Sequence, residues 1–137
     1  NAKAIPVVAS PACSEEQRQA AELFLIGMNV IPIWSKDHPG LYVIRSIAML
    51  VNEACEAVLH DIASEQDIDS AMKYGVNYPC GPFDWADRIG YYTILQILEN
   101  MYHVYGEDRY RTSIYLAKKA VQGHAQKTQQ QPLRVAG

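Results

Sequence analysis

Apolar positions follow two regimes along the chain: short β-branched runs at the start, then long stretches at helical spacing. Ala4-Ile5-Pro6-Val7-Val8-Ala9 is β-branched and bounded by Ser10-Pro11, which predicts a strand. Ser14-Glu15-Glu16-Gln17 has capping-box spacing ahead of Ala20, Ala21, Leu23 and Phe24, predicting a helix from Ser14 to Ile26 that Gly27 stops. Asn29-Val30-Ile31-Pro32-Ile33-Trp34 reads as a second strand, so residues 1–37 form a β-α-β segment. The turn Lys36-Asp37-His38-Pro39-Gly40 marks a boundary.

From Leu41 to Leu59, apolar residues recur at Leu41, Ile44, Ala48, Val51, Cys55, Val58 and Leu59 with no Gly or Pro between, predicting one helix of about five turns as the spine. Ser64 to Tyr74 reads as a capped helix ended by Gly75. Tyr78-Pro79-Cys80-Gly81-Pro82 is a turn whose prolines forbid helix continuation, with a helical turn from Phe83 to Arg88 after it. Tyr91 to Tyr105 carries Ile94, Leu95, Ile97, Leu98, Met101 and Tyr105 on one broad face and stops at Gly106; a last helix spans Thr112 to Val121. Residues 122–137 are polar, Gln-rich and without period, which predicts a loose or partner-stabilised tail. The fold class is therefore mainly α, a helical domain over 38–121 behind a short β-α-β lead-in.

Composition narrows the function. With 137 residues, 49% hydrophobic and 20% charged, the chain is one globular domain rather than a disordered segment. Twelve Lys and Arg against fifteen Asp and Glu, net charge -3, disfavour a nucleic-acid partner. The most apolar stretch, Leu23 to Trp34, is broken by Gly27, Asn29 and Pro32 and falls short of the roughly 20 apolar residues a membrane span needs. A start at Asn1-Ala2, with no charged segment leading into an apolar one, reads as a trimmed N-terminus without a secretory signal. Cys13, Cys55 and Cys80 are odd in number and form no Cys-x-x-Cys pair, which fits a reducing, cytoplasmic setting.

Candidate chemistry is sparse. His38, His60, His103 and His124 are scattered and read as surface or cap residues; Asp67-Ile68-Asp69 lacks the rest of a calcium loop and reads as helix N-terminal charge. No metal site follows. No Gly-x-Gly-x-x-Gly, Gly-x-x-x-x-Gly-Lys-Ser or Gly-x-Ser-x-Gly occurs, so the chain carries no signature for NAD or for a nucleophile elbow. Asn52-Glu53 sits mid-helix among apolar neighbours and needs a hydrogen-bond partner; the backbone of the Tyr78–Pro82 turn is the expected one. Tyr74, Tyr78, Phe83, Trp85, Tyr91 and Tyr92 surround that turn and would pack a core or interface, or wall an acyl pocket.

Taken together, His38-Pro39-Gly40-Leu41-Tyr42-Val43-Ile44-Arg45, Asn52-Glu53-Ala54, Asp67-Ile68-Asp69-Ser70-Ala71-Met72, Gly75 to Phe83, Asp87-Arg88-Ile89-Gly90 and Arg109-Tyr110-Arg111 resemble, in order and spacing, the C-terminal domain of 3-hydroxyacyl-CoA dehydrogenases. The resemblance implies a helical fold of the 6-phosphogluconate dehydrogenase C-terminal-like kind. It also implies a parent enzyme whose separate Rossmann domain binds NAD and supplies the catalytic His and Glu. In that family the helical domain closes the acyl-CoA cleft and mediates dimerisation, which is the role the resemblance implies here. Where the family places an Asn before the Arg of its Pro-Gly motif, this chain has Ile44, which has no polar atom to offer a substrate. That departure is similar to the second, degenerate C-terminal copy of tandem 3-hydroxybutyryl-CoA and 3-hydroxyadipyl-CoA dehydrogenases of bacterial acyl-CoA and phenylacetate catabolism.

The resemblance thus implies no catalytic, cofactor-binding or metal residue in this chain. Asn52, Glu53, Asp69, Tyr78, Pro79, Gly81, Pro82, Phe83 and Asp87 become substrate-cleft or structural-motif residues. The implied partners are the NAD-binding and first C-terminal domains, a second copy in a homodimer, and acyl-CoA as the parent's substrate. The competing classes are a non-catalytic oligomerisation module and an acyl-CoA-binding domain.

Overall fold

A computed structural model describes residues 2–129, with side chains described over 2–123. The backbone divides into two compact units, residues 1–38 and 39–137.

In the first unit, strand β1 (Lys3–Val8), helix α1 (Glu15–Gly27) and strand β2 (Val30–Ser35) form a β-α-β arrangement. The strands run parallel, with Lys3 opposite Val30 and Val8 opposite Ser35. The capping box exists: Ser14 Oγ accepts from the Gln17 amide at 3.2 Å, and Gln17 Oε1 accepts from the Ser14 amide at 2.9 Å. Gly27 does not stop α1 as expected; it is the last helical residue, and Asn29 makes the turn at φ 60°, a conformation Asn tolerates through its short polar side chain. Trp34 fastens sheet to helix, donating from Nε1 to Glu22 at 3.1 Å while the Arg18 guanidinium lies 4.9 Å from its ring centre. No residue of α1 is buried, so this unit has no core of its own.

The second unit is helical. Helix α2 (Tyr42–Leu59) touches α3 (Glu65–Gly75), α4 (Pro82–Ile89), α5 (Tyr91–Tyr105) and α6 (Ile114–Gln129), which makes it the spine. Its inward stripe of Ala48, Val51, Asn52 and Cys55 follows the helical period and packs among Phe83, Ala86, Ile94, Leu98, Met101, Tyr110 and Leu116. Gly40 opens the helix at φ 80°, and a Cβ there would come within 2.8 Å of Met101 Sδ, so conformation and space both require glycine. Gly90 at φ 97° turns the chain between α4 and α5, and Gly106 at φ 63° ends α5 by donating to the Tyr102 carbonyl at 2.8 Å. The last helix runs to Gln129 rather than Val121, so the first eight residues of the expected tail are helical. The rest of that tail lies outside the described residues.

The contrast between the units is measurable. Leu98 is fully buried and Leu23 is 72% exposed. Leu98→Ala should therefore cost about 2–5 kcal/mol and Leu23→Ala less than about 0.5 kcal/mol in urea unfolding; equal midpoints for the two variants would contradict the placement of the core.

Candidate functional site

The residues singled out in the sequence separate into three places. Asn52 lies buried near the middle of α2. Its amide nitrogen donates to the Arg111 carbonyl at 2.9 Å, and its Oδ1 accepts from the Ser113 amide at 2.8 Å. The partner is therefore the segment entering α6, not the Tyr78–Pro82 turn expected from sequence. Ser113, itself fully buried, accepts the Tyr115 amide on its hydroxyl at 3.3 Å, so the start of α6 is capped from two directions. Glu53, one residue on and so rotated about 100° around the helix, is exposed; it bonds no turn.

The turn is held instead by Asp69, from the second turn of α3. Its carboxylate accepts from the Phe83 amide at 2.9 Å and the Asp84 amide at 3.0 Å. These are the second and third positions of α4, where a cap side chain normally accepts. The residue at the cap position, Gly81, has no side chain, and a Cβ there would sit 2.2 Å from Asp69 Cγ. Gly81 thus makes room for a cap supplied by another helix. Pro82 at the first position has no N–H to satisfy and is buried with Phe83 in the core. Asp69 was expected to complement its own helix dipole; Asp67 does so, beside Ser64, whereas Asp69 serves α4. Outside the turn, Lys73 and Asp84 pair at 2.5 Å, which raises the lysine and lowers the aspartate through their mutual hydrogen bond.

The aromatic residues do not gather into one cluster. Tyr78 and Trp85 pack at 5.8 Å beside the exposed Pro79, Phe83 joins the core, and Tyr74 points into solvent. Tyr91 belongs to a third place, a cavity of about 230 Å3 lined with Asp87, Gly90, Thr93 and Ala120. Burial, reinforced by the neighbouring Asp87 carboxylate that the phenol bonds, drives Tyr91 far above the ordinary tyrosine range. Next to it, Glu65 accepts from the Tyr115 hydroxyl at 2.7 Å and pairs with Lys119, whose ammonium lies 5.1 Å from the Tyr91 ring centre. Sequence reasoning missed this clasp. Tyr115 and Lys119 stand four apart on one helix face, which is a signal, but Glu65 is 50 residues away.

Chemically, these groups are suited to holding helices together. The bond to Glu65, with burial second, pushes the Tyr115 phenol up to about 12; burial pushes the Cys55 thiol up to about 12 and keeps it protonated, hence a poor nucleophile. Among the described residues no three His, Cys, Asp or Glu side chains converge on a point where a metal could sit, and none of the described helices is long and apolar enough to cross a membrane.

Residues 40–134 match the family model of the 3-hydroxyacyl-CoA dehydrogenase C-terminal domain. The chain belongs to that family. It is 39% identical over 119 residues to the 3-hydroxyadipyl-CoA dehydrogenase of Escherichia coli strain K12, covering 87% of this chain and 25% of that protein. It is 38% identical over 92 residues to a probable 3-hydroxybutyryl-CoA dehydrogenase of Deinococcus radiodurans, covering 67% and 33%. A crystal structure of Escherichia coli 3-hydroxybutyryl-CoA dehydrogenase superposes with TM-score 0.84 at 37% identity, over 90% of this chain and 26% of that one. This 3-hydroxyacyl-CoA dehydrogenase C-terminal domain therefore spans about a quarter to a third of these relatives.

Asn52→Ala removes both bonds to the Arg111–Ser113 segment and should destabilise the domain by roughly 1–3 kcal/mol, while Glu53→Ala should stay within about 0.5 kcal/mol. Equal urea midpoints would refute the assignment. Burial alone would raise the Glu65 carboxyl, but the bonds from Lys119 and Tyr115 outweigh it and hold it below the ordinary glutamate range. Because the unfolded chain then holds that proton more tightly, the clasp stabilises above the ordinary glutamate value and its contribution is lost as pH falls through the lowered one. Glu65→Gln should flatten the acid side of the plot of Tm against pH; an unchanged acid slope would show that the clasp contributes nothing.

Proposed function

We propose that this chain works as the second helical C-terminal domain of an NAD-dependent 3-hydroxyacyl-CoA dehydrogenase that oxidises a 3-hydroxyacyl-CoA to the 3-oxoacyl-CoA, in the cytoplasm. Its part is domain packing, dimerisation and closure of the acyl-CoA cleft, while the chemistry belongs to the parent's NAD-binding domain. The observation that carries this reading is that the family's polar motif residues in this chain are spent on internal capping. Asn52 and Asp69 are buried with their side-chain atoms bonded to backbone, and Ile44 stands where the family has its Asn.

NAD does not fit the residues present. In a β-α-β unit the pyrophosphate needs a glycine-rich turn between strand and helix, where backbone amides can approach it. Here that turn is Ala9-Ser10-Pro11-Ala12-Cys13, without glycine, and the Ser14–Gln17 capping box already occupies an amide of the first turn of α1. The apolar residues exposed on the lead-in, among them Phe24, Ile26, Ile31 and Ile33, support a role against other domains of a longer chain. A place in bacterial phenylacetate catabolism rests on the similarity to the Escherichia coli 3-hydroxyadipyl-CoA dehydrogenase.

The 137-residue chain should show no heat of binding with NAD, no oxidation of 3-hydroxybutyryl-CoA above a buffer blank, and concentration-dependent self-association in sedimentation velocity. Micromolar NAD affinity or turnover would overturn the division of labour; a monomer at all concentrations would remove the dimerisation role.

A further inference from the structure

The lead-in sheet has two faces, and helix α1 covers one of them. Trp34 marks the covered face, since it bonds Glu22 and stacks on Arg18 of α1. Side chains alternate along a strand, so Val30 and Pro32 share that face while Ile31, Ile33 and Ser35 point the other way. The parallel register sets Ala4 beside Ile31, Pro6 beside Ile33 and Val8 beside Ser35. The second face therefore carries no charged residue, and Ile31 and Ile33 are each 53% exposed on it. Parallel sheets in proteins have both faces covered, because only then is their apolar surface removed from water.

The size of the face selects what can cover it. Each strand has six residues, so the two-stranded face measures about 20 Å by about 10 Å, or about 200 Å2. A stable interface between separate chains takes about 800 Å2 from each partner, so packing on the same face of a second copy falls well short. A strand added at either edge would leave the face uncovered. One α-helix fits it: about 13 residues span about 20 Å with a width of about 10 Å, and α1, with 13 residues, already covers the opposite face. So small a contact holds when the helix belongs to the same polypeptide, because the tether supplies a high effective concentration. The relatives have the chain length for it, since this chain covers only 25% of the Escherichia coli 3-hydroxyadipyl-CoA dehydrogenase.

We propose that the face formed by Ala4, Pro6, Val8, Ile31 and Ile33 seats an amphipathic helix from another domain of the same polypeptide, packed opposite α1 to complete an α-β-α layer. The proposal rests on the reading of this chain as one domain of a longer dehydrogenase, and it names the surface through which the lead-in meets the rest.

The test is photo-cross-linking in the protein at the length its own gene encodes. p-Benzoylphenylalanine stands in place of Ile33 in one variant, of Ile31 in a second, and of the exposed Glu16 on α1 in a control. All three side chains are exposed, so the variants keep the fold. Peptide mapping should show cross-links from positions 31 and 33, several-fold above the control, to residues of the same polypeptide outside residues 1–137 and spaced three or four apart. No cross-link above the control, or a cross-link to a second copy, to another protein, to residues 39–123 or to positions two apart as in a strand, would overturn the proposal. Oxidation of 3-hydroxybutyryl-CoA with NAD by the same protein is measured in parallel. Turnover without the cross-link overturns the docking face alone; the cross-link without turnover supports the face and overturns the dehydrogenase reading alone.

Discussion

Helix α4 begins at a glycine that can supply no side-chain cap, and the segment entering α6 is tied down by a side chain of α2; the fold depends on both of these contacts from elsewhere in the chain. The first turn of any α-helix exposes amides that must find acceptors. At α4 the cap position is Gly81, the first helical residue is Pro82, and the next two amides are taken by Asp69 from α3. At the entry to α6, Asn52 of α2 bonds both a carbonyl and an amide of the incoming segment. Each polar side chain is buried, so each bond forms in a medium where losing it would leave several groups unsatisfied at once. These contacts are directional and join specific helices, whereas apolar packing is non-directional.

This arrangement explains why family motif residues can persist where no chemistry is proposed. A carboxylate that accepts two backbone amides and an amide that bridges two backbone groups are already committed to structure. The charged clasp of Glu65, Tyr115 and Lys119 joins α3 to α6 in the same way, with partial exposure and therefore a smaller expected contribution.

The β-α-β lead-in obeys a different balance. Its helix is capped and its strands are paired, so local rules are satisfied. With only two strands and one helix, however, it buries no residue of α1, and parallel sheets are normally covered on both faces. Its apolar residues Phe24, Ile26, Ile31 and Ile33 stay exposed among the described residues; the chain spans about a quarter to two fifths of its relatives.

Much of the architecture could be read from the amino-acid order because it depends on near neighbours. The period of Ala48, Val51 and Cys55 specifies the buried stripe of α2, Ser14 and Gln17 specify a capping box, and Gly90 and Gly106 mark helix ends. Even here Asn29 and Asn77 took the positive φ values beyond the ends of α1 and α3, where Gly27 and Gly75 were read as the stops, because both residue types tolerate that conformation. The partners of Asn52, Asp69 and Glu65 could not be read in the same way. They lie 61, 14 and 50 residues distant, and no local pattern distinguishes one buried backbone amide from another. The sequence determined that a mid-helix amide must be bonded; which backbone it bonds was decided by how the helices pack, since a hydrogen bond needs an acceptor within about 3 Å and only tertiary structure brings one there.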